Sequence, residues 1–480
     1  LALLSASVAA ALLMVQGTTL AANTDLGPSR YYRAVSDCRP AKQGFATCFA
    51  MHLVRVTRNT PGARQMALPK VVPHGPVGGY TPGDLAIAYG VNSNAPTSQI
   101  VAIVDAFHDP NALVDLNAFD THYGLPHETA TSFKQLNQNG AAGPYPVANA
   151  GWATEIALDI EAVRGICHTC QIRLYEATDN SNANLGAAVD KAVAQGAKIV
   201  SNSYGGHEGA APDPAAGHWN HPGVAILAST GDHGMFDWDN FNLSAHPASS
   251  NAPEEPSSYN TVVAVGGTSL FLNANATRAT EVVWNENGSG DMIGFPNHLA
   301  LGATGGGCSK FYAARPLQHA IANYADTTCG TKKAAADVSA LADPYTGFDT
   351  LNTFSGPTGG WGTEGGTSLA SPLIAGMWAL AGGPAGVAYP ADSLYKHLKN
   401  NPADFFDVTG GGNGLCNALV ETICGELWSP SPNQQGKGVL DCATTPGGAP
   451  AAGRRECDAA IGYDGPSGVG TPRGLAGFKP

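Results

Sequence analysis

Charge is what this sequence has least of. Only 13% of its 480 residues are Asp, Glu, Lys or Arg, and acids outnumber bases 38 to 25, for a formal net charge of -13. Lys and Arg nowhere cluster, which excludes the basic face a nucleic-acid partner would need. The shortage of bases has a second consequence: in acid, once carboxylates take up protons, few positive charges remain to repel one another, so the composition suits an acidic medium. No internal repeat is present. No Gly-x-Ser-x-Gly elbow is present either, which excludes a serine esterase built on that turn. What the chain does hold is 43% hydrophobic residues, Gly 60 and Pro 33. That is enough apolar material for a large core and enough turn residues for long surface loops, with room for one to three domains.

Leu1–Leu20 is apolar and small-residue rich, and Thr19-Leu20-Ala21-Ala22 has the character of a signal-peptidase site. Gln16, Gly17 and the Thr pair break the run, so residues 1–22 are expected to be a cleaved export signal rather than an anchor, leaving a secreted monomer with no membrane contact. Residues 23–79, ending Pro/Gly-rich, read as a short pro-region or N-terminal extension, and residues 80–480 as one large domain with a Cys-rich insertion near 415–457. Ten cysteines fit an oxidising compartment. Proximity pairs Cys38 with Cys48, Cys167 with Cys170 and Cys308 with Cys329, with Cys416, Cys424, Cys442 and Cys457 left for two further bridges whose connectivity stays open.

From Tyr80 buried strands alternate with helices. Ile100–Val104, Ile172–Ala177, Ile199–Ser203, Val224–Ala228 and Val262–Val265 read as strands; Asn111–Tyr123, Gly151–Val163 and Leu185–Gln195 read as helices. The fold class this predicts is α/β, with a mostly parallel central sheet and helices on both faces. Chemistry gathers at the carboxyl ends of such strands. Here those ends carry Asp105, the run Ser201–Gly206, and Ser229-Thr230-Gly231-Asp232.

Two stretches stand out chemically. In Gly365–Gly376, GGTSLASPLIAG, Ser368 opens an apolar helix, with Pro372 expected in its first turn. Taken alone, Gly-Thr-Ser before a helix is capping chemistry. In Gly151–Glu161, GWATEIALDIE, Glu155 and Asp159 lie one turn apart on one helix face among apolar neighbours. Two partly buried carboxylates at that spacing raise one another's pKa and titrate together. A subtilisin-type triad would have a histidine on this helix; no His-Gly-Thr-His segment exists, and Glu155 stands there instead.

With that replacement the sequence resembles the sedolisin family, or serine-carboxyl peptidases, whose fold is that of subtilisin. The resemblance rests on Tyr80-Thr81-Pro82, Trp152-x-x-Glu155-x-x-Leu158-Asp159, Ser201-x-Ser203-Tyr204-Gly205, Ser229-x-Gly231-Asp232, Val265-Gly266-Gly267-Thr268, Asp337-Val338-Ser339-Ala340, Gly366-Thr367-Ser368-x-x-x-Pro372 and Gly462-Tyr463-Asp464-Gly465, in family order. It implies a secreted, acid-active endopeptidase acting on proteins or peptides. Ser368 would be nucleophile, Glu155 general base, Asp159 the group that orients and tunes it, and Asp232 a protonated oxyanion donor. Ser201, Ser203, Tyr204 and Gly205 would form the edge that pairs with extended substrate. One structural Ca²⁺ would sit on Asp407, Val408, Ala460, Gly462 and Asp464. Asp105 would be an acid behind the triad. The lead segment is shorter than a family propeptide, which leaves the means of zymogen inhibition open. A catalytically silent secreted binding protein on the same scaffold is the alternative function.

Overall fold

The computed structural model describes residues 31–39, 41–57, 60, 64–65, 75–235, 253–285, 302–356, 360–414 and 455–480. The expected signal, nearly all of the Cys-rich insertion, and Cys416, Cys424 and Cys442 lie outside these residues.

Short runs of Val, Ile and Ala make the centre, because β-branched side chains suit a pleated surface covered on both faces. The central sheet has eight strands. Across it the order is Arg278–Val283, Val263–Leu272, Ala225–Ser229, Ile199–Asn202, Ile100–Ala106, Gln171–Ala177 and Phe133–Asn137, with Val338–Leu341 also paired to Val263–Leu272. All pairings are parallel except that of the Arg278–Val283 edge. Helices Ala112–Tyr123, Ala150–Ile166, Asn182–Ala194 and Thr367–Leu380 connect or cover these strands. The expected elements are therefore present, with ends moved by a few residues and the last expected strand running on to Leu272.

Two helices that position the site pack against each other. Ala150–Ile166 starts at Asn149, whose side-chain oxygen accepts from Trp152 N at 3.2 Å, and from Trp152 to Ile166 every residue is buried. Just beyond its end, Cys167 is bridged to Cys170. Thr367–Leu380 is buried from Thr367 to Ala379. It starts at Thr367, so Pro372 is in its second turn rather than the first. A proline there has no N–H for the carbonyl four residues back, which is that of Ser368. Ser203 Oγ lies 3.4 Å from this carbonyl.

The lead segment is woven into the domain. Tyr31–Ser36 and Met51–Val56 pair antiparallel over six residues each, and Met51 and His52 in turn pair with Gly365 and Glu364. These strands share a five-stranded sheet with Trp361–Gly365 and Phe348–Leu351. Packing therefore shows no break at Tyr80, where the sequence placed a boundary; pairing between distant strands leaves no local trace in the lead segment. Disulfides Cys38–Cys48, Cys167–Cys170 and Cys308–Cys329 form as proximity predicted. Cys457 is also bridged, to a partner outside the described residues. Among the described residues no helix is long and apolar enough to cross a membrane.

Candidate active site

Ser368 is the second residue of its helix, after Gly366 at φ 90° and Thr367. Its hydroxyl donates to Glu155 Oε2 at 2.9 Å and lies 3.2 Å from Ser203 O. Glu155 comes from the middle of the Ala150–Ile166 helix, and Asp159 follows one turn later, accepting from Ser203 Oγ at 2.7 Å. Asp105 ends its strand close by, with neither carboxylate oxygen hydrogen-bonded among the described residues. All three acids are fully buried. Burial pushes each well above the usual carboxylate range; the charges of Asp159 and Asp105 add to it for Glu155, that of Asp105 for Asp159, and that of Glu176 for Asp105. Hydrogen bonds act the other way. Glu155 Oε2 receives two donors, Ser368 Oγ and Ala50 N, the latter at 2.7 Å. Asp159 is stabilised by Ser203 and by the Glu155 carboxyl, and Asp105 has no donor among the described residues. Asp105 is therefore the best placed of the three to keep a proton, while Glu155 and Asp159 titrate as a pair.

Asp232 sits on the opposite side of the serine turn. Its Oδ1 accepts from Thr367 N at 2.8 Å and Thr367 Oγ1 at 2.7 Å, while Oδ2 is buried without a partner among the described residues. Burial pushes this carboxyl up to about 7, with the Thr367 bonds pulling against it. A neutral carboxyl therefore keeps a free O–H at Oδ2 in acid. Gly366 lies between: a Cβ there would come within 1.8 Å of Phe49 O and 2.6 Å of Asp232 Oδ2.

Of the predicted substrate-edge residues, Ser201 is a correction. Its backbone lies between Leu227 and Ile103 in the parallel sheet, and its hydroxyl bonds Ser371 Oγ at 2.8 Å under the serine helix. It has no free edge to offer. Ser203, Tyr204 and Gly205 do lie at an edge, and the chain's own Thr47–Cys48 occupies it, Thr47 opposite Gly205 and Cys48 opposite Tyr204. Sequence reasoning did not see this; the Cys38–Cys48 loop abutting an apolar run was the available signal.

Asp407 and Asp464 meet through the loop 460–467. Gly462 N donates to both Asp407 oxygens at 3.1 Å, and Asp464 accepts from Ala460 N at 3.0 Å and from Ser467 N and Oγ. Burial first, and then the charge of Asp407, pushes Asp464 up to about 7. Two carboxylates in mutual repulsion on a carbonyl-bearing loop fit a hard divalent cation. Among the described residues no group of three or more His, Cys, Asp or Glu offers a metal site. An ion here would need backbone carbonyls, of which Val408, Ala460 and Gly462 are the candidates.

Comparison with known proteins bears on this arrangement. The sequence profile of the Subtilase family matches residues 146–401. Sedolisin from Pseudomonas sp. (strain 101) is 27% identical over 382 residues, covering 75% of this chain and 61% of that protein. Xanthomonalisin from Xanthomonas sp. (strain T-22) is 28% identical over 377 residues, covering 70% of this chain and 43% of that protein. The chain thus spans less than two thirds of the length of either relative. The solved structure of Pseudomonas sedolisin, a serine-carboxyl proteinase complexed with two molecules of pseudo-iodotyrostatin, superposes with a TM-score of 0.60 at 23% identity, over 82% of this chain and 95% of that one. That likeness establishes the subtilisin-like fold. The profile match takes in more than half of the sequence, and Glu155, Asp159, Ser203, Asp232 and Ser368 all fall inside it. By that measure the chain belongs to the subtilase family.

Proposed function

We propose that the chain is an exported serine-carboxyl peptidase that cuts peptide bonds within proteins in acid. The observation that carries this reading is the 2.9 Å bond from Ser368 Oγ to Glu155 Oε2, inside a buried acid cluster. Ser368 attacks the substrate carbonyl as its proton passes to Glu155 Oε2. Asp159, held by Ser203, keeps Glu155 oriented and takes up a proton so that Glu155 can hold the charge. The oxyanion forms beside the start of the serine helix, where the Ser368 N–H and a protonated Asp232 donate to it. Glu155 then returns the proton to the leaving amine. A water molecule repeats the sequence on the acyl-enzyme.

The two carboxyl roles set the pH range. Asp232 must stay protonated, which holds below about 7, while Glu155 must be able to accept a proton. Extended substrate would pair along Ser203–Gly205, as Thr47–Cys48 does. A Ca²⁺ ion on Asp407 and Asp464 would supply charge compensation to the C-terminal loop and take no part in the chemistry. Protein or peptide substrates, a monomeric state and secretion belong to the same reading.

The test is hydrolysis of casein at pH 4 together with labelling by a peptidyl phosphonate, on parent and Ser368→Ala. Activity and a label on Ser368, both lost in the variant, are expected. A chain freed of residues 1–49 that is folded, inert and unlabelled would instead be a silent binding protein.

A further inference from the structure

The chain's own residues 47–50 lie through the site just described. Cys48 and Thr47 pair antiparallel with Tyr204 and Gly205, and Phe49 N continues the ladder to Ser203 O at 3.3 Å. That same carbonyl lies 3.2 Å from Ser368 Oγ. One residue on, Ala50 N donates to Glu155 Oε2, the atom that also receives the Ser368 proton. The carbonyl between these two amides, Phe49 O, rests on Gly366 beside Asp232 Oδ2, whose hydrogen-bonding capacity is unused among the described residues. Of the groups adjoining the Phe49–Ala50 peptide, Glu155 is thus assigned above to proton transfer, Asp232 to the oxyanion and Ser203 to the substrate edge.

The flanks hold this bond in place on both sides. Upstream, the Cys38–Cys48 bridge closes a loop, and Ala46 and Gly44 bond Asn180 and Asn182. Downstream, Ala50 O accepts from Asp37 N at 3.0 Å, and Met51 and His52 enter the sheet beside Glu364 and Gly365. The Phe49 ring fills a slot floored by glycines: a Cβ on Gly205 would lie 2.8 Å from the ring and one on Gly231 3.5 Å, and the His233 ring stands edge-on at 6.2 Å. Phe49 is 1% exposed.

We propose that Thr47–Ala50 is bound as a substrate of this chain's own active site, and that Phe49–Ala50 is the first bond it cuts. The proposal rests on the peptidase reading above. Ser368 Oγ bonds to the Phe49 carbonyl carbon as its proton moves to Glu155; the C–N bond to Ala50 breaks as Glu155 gives that proton to the Ala50 nitrogen. Water then hydrolyses the ester, leaving a Phe49 carboxyl and a new Ala50 amino terminus. Residues 50–56 stay in the sheet with Gly365. The released end stays docked through the pairing of Tyr31–Ser36 with Met51–Val56, so the segment blocks the cleft until it dissociates. The glycine-floored slot then favours an aromatic residue on the N-terminal side of the bond cut in other chains.

The test uses the whole chain, purified near neutral pH and shifted to pH 4, followed by intact mass, N-terminal sequencing and hydrolysis of a phenylalanyl peptide. A terminus Ala50-Met51-His52 is expected, with a half-time unchanged over a hundredfold dilution, since the cut is intramolecular. Peptide hydrolysis should rise from a lag after the cut, as the released segment dissociates. Ser368→Ala should stay whole. Ala50→Pro, which lacks the N–H given to Glu155, should stay whole and hydrolyse the peptide at least tenfold more slowly than the processed parent. Phe49→Gly empties the slot and should hydrolyse the peptide without a lag. Peptide hydrolysis by a parent whose Phe49–Ala50 bond stays intact, unaltered by Ala50→Pro, would overturn the inference and leave the peptidase standing. Failure of parent and Phe49→Gly alike to cut anything would overturn both.

Discussion

The Ala150–Ile166 helix treats its charges in opposite ways at two points along its length. Near its C-terminus Arg164 Nε contacts Asp120 at 2.6 Å and Glu128 at 3.1 Å, all three side chains being almost wholly buried. In its middle Glu155 and Asp159 lie close to Asp105, and their partners are hydroxyls and an amide. The first group is held by a guanidinium, which no ordinary pH removes. The second depends on protons, which the medium adds and withdraws. Burial alone explains neither choice, since acids are raised by it in both groups. A fixed counter-ion gives a fixed structure, whereas shared protons leave one carboxylate free to accept another. The Asp407–Asp464 pair is a third case, suited to a counter-ion that a chelator removes.

The largest expected effect separates the two groups by function. Glu155→Ala should lower kcat/KM by about 10⁴-fold or more, as loss of a base does in other triads, while Arg164→Met should leave kcat/KM per active site unchanged. Titrating active sites before comparing rates keeps unfolded protein out of the ratio. Equal losses in the two variants would erase the contrast.

Stability should reverse the ranking. Removing Arg164 leaves Asp120 and Glu128 buried without their cation, which costs about 3–5 kcal/mol for a broken buried pair. Urea unfolding of Arg164→Met should show that loss at pH 7 and a smaller one at pH 4, where both acids, already raised by burial, take up protons. Glu155→Gln should cost little at either pH. For the third case, Ca²⁺ at a hundredfold excess over its Kd should add about 2.7 kcal/mol. Chelator should remove that increment in the parent and change nothing in Asp464→Asn.

The remaining effect is a slope. Burial raises Asp109 and Asp232 to about 7 and Glu176 to about 8. The native chain therefore holds protons that the unfolded chain releases near pH 4. This contribution is complete below the unfolded value, declines as pH rises from about 4, and is gone once pH has passed through 7 to 8. Tm should fall over that range, each such proton adding about 1.4 kcal/mol per pH unit. Asp232→Asn should remove one proton from the slope and retain activity further into the alkaline range, because an amide donates without titrating. A Tm that rises from pH 4 to pH 8 would contradict the account of protonated acids.

Much of this was legible from local pattern. Glu155 and Asp159 at a four-residue interval in an apolar helix, Ser368 at a helix start, and Asp232 at a strand end each follow from a short stretch read by periodicity. What was not legible depends on which strands lie side by side. Ser201 and Ser203 are two residues apart in one run, yet Ser201 has a strand on each side and Ser203 does not; only the order of strands distinguishes them. The same holds for Phe49 and Ala50, whose partners lie more than a hundred residues away at Glu155 and Ser203. Pro372 was visible, but its effect on the Ser368 carbonyl depends on where the helix starts.

Gly366 has a consequence for how this protein varies. Its φ of 90° is one that side chains rarely adopt, and the space a methyl group would take is already filled by Phe49 O, 1.8 Å away, and Asp232 Oδ2, 2.6 Å away. Any missense change at this codon therefore brings a clash of the same kind, whatever residue it encodes. In a saturation library the position should behave as a single-allele site, with alanine ranking among the inactive variants rather than between glycine and the larger residues.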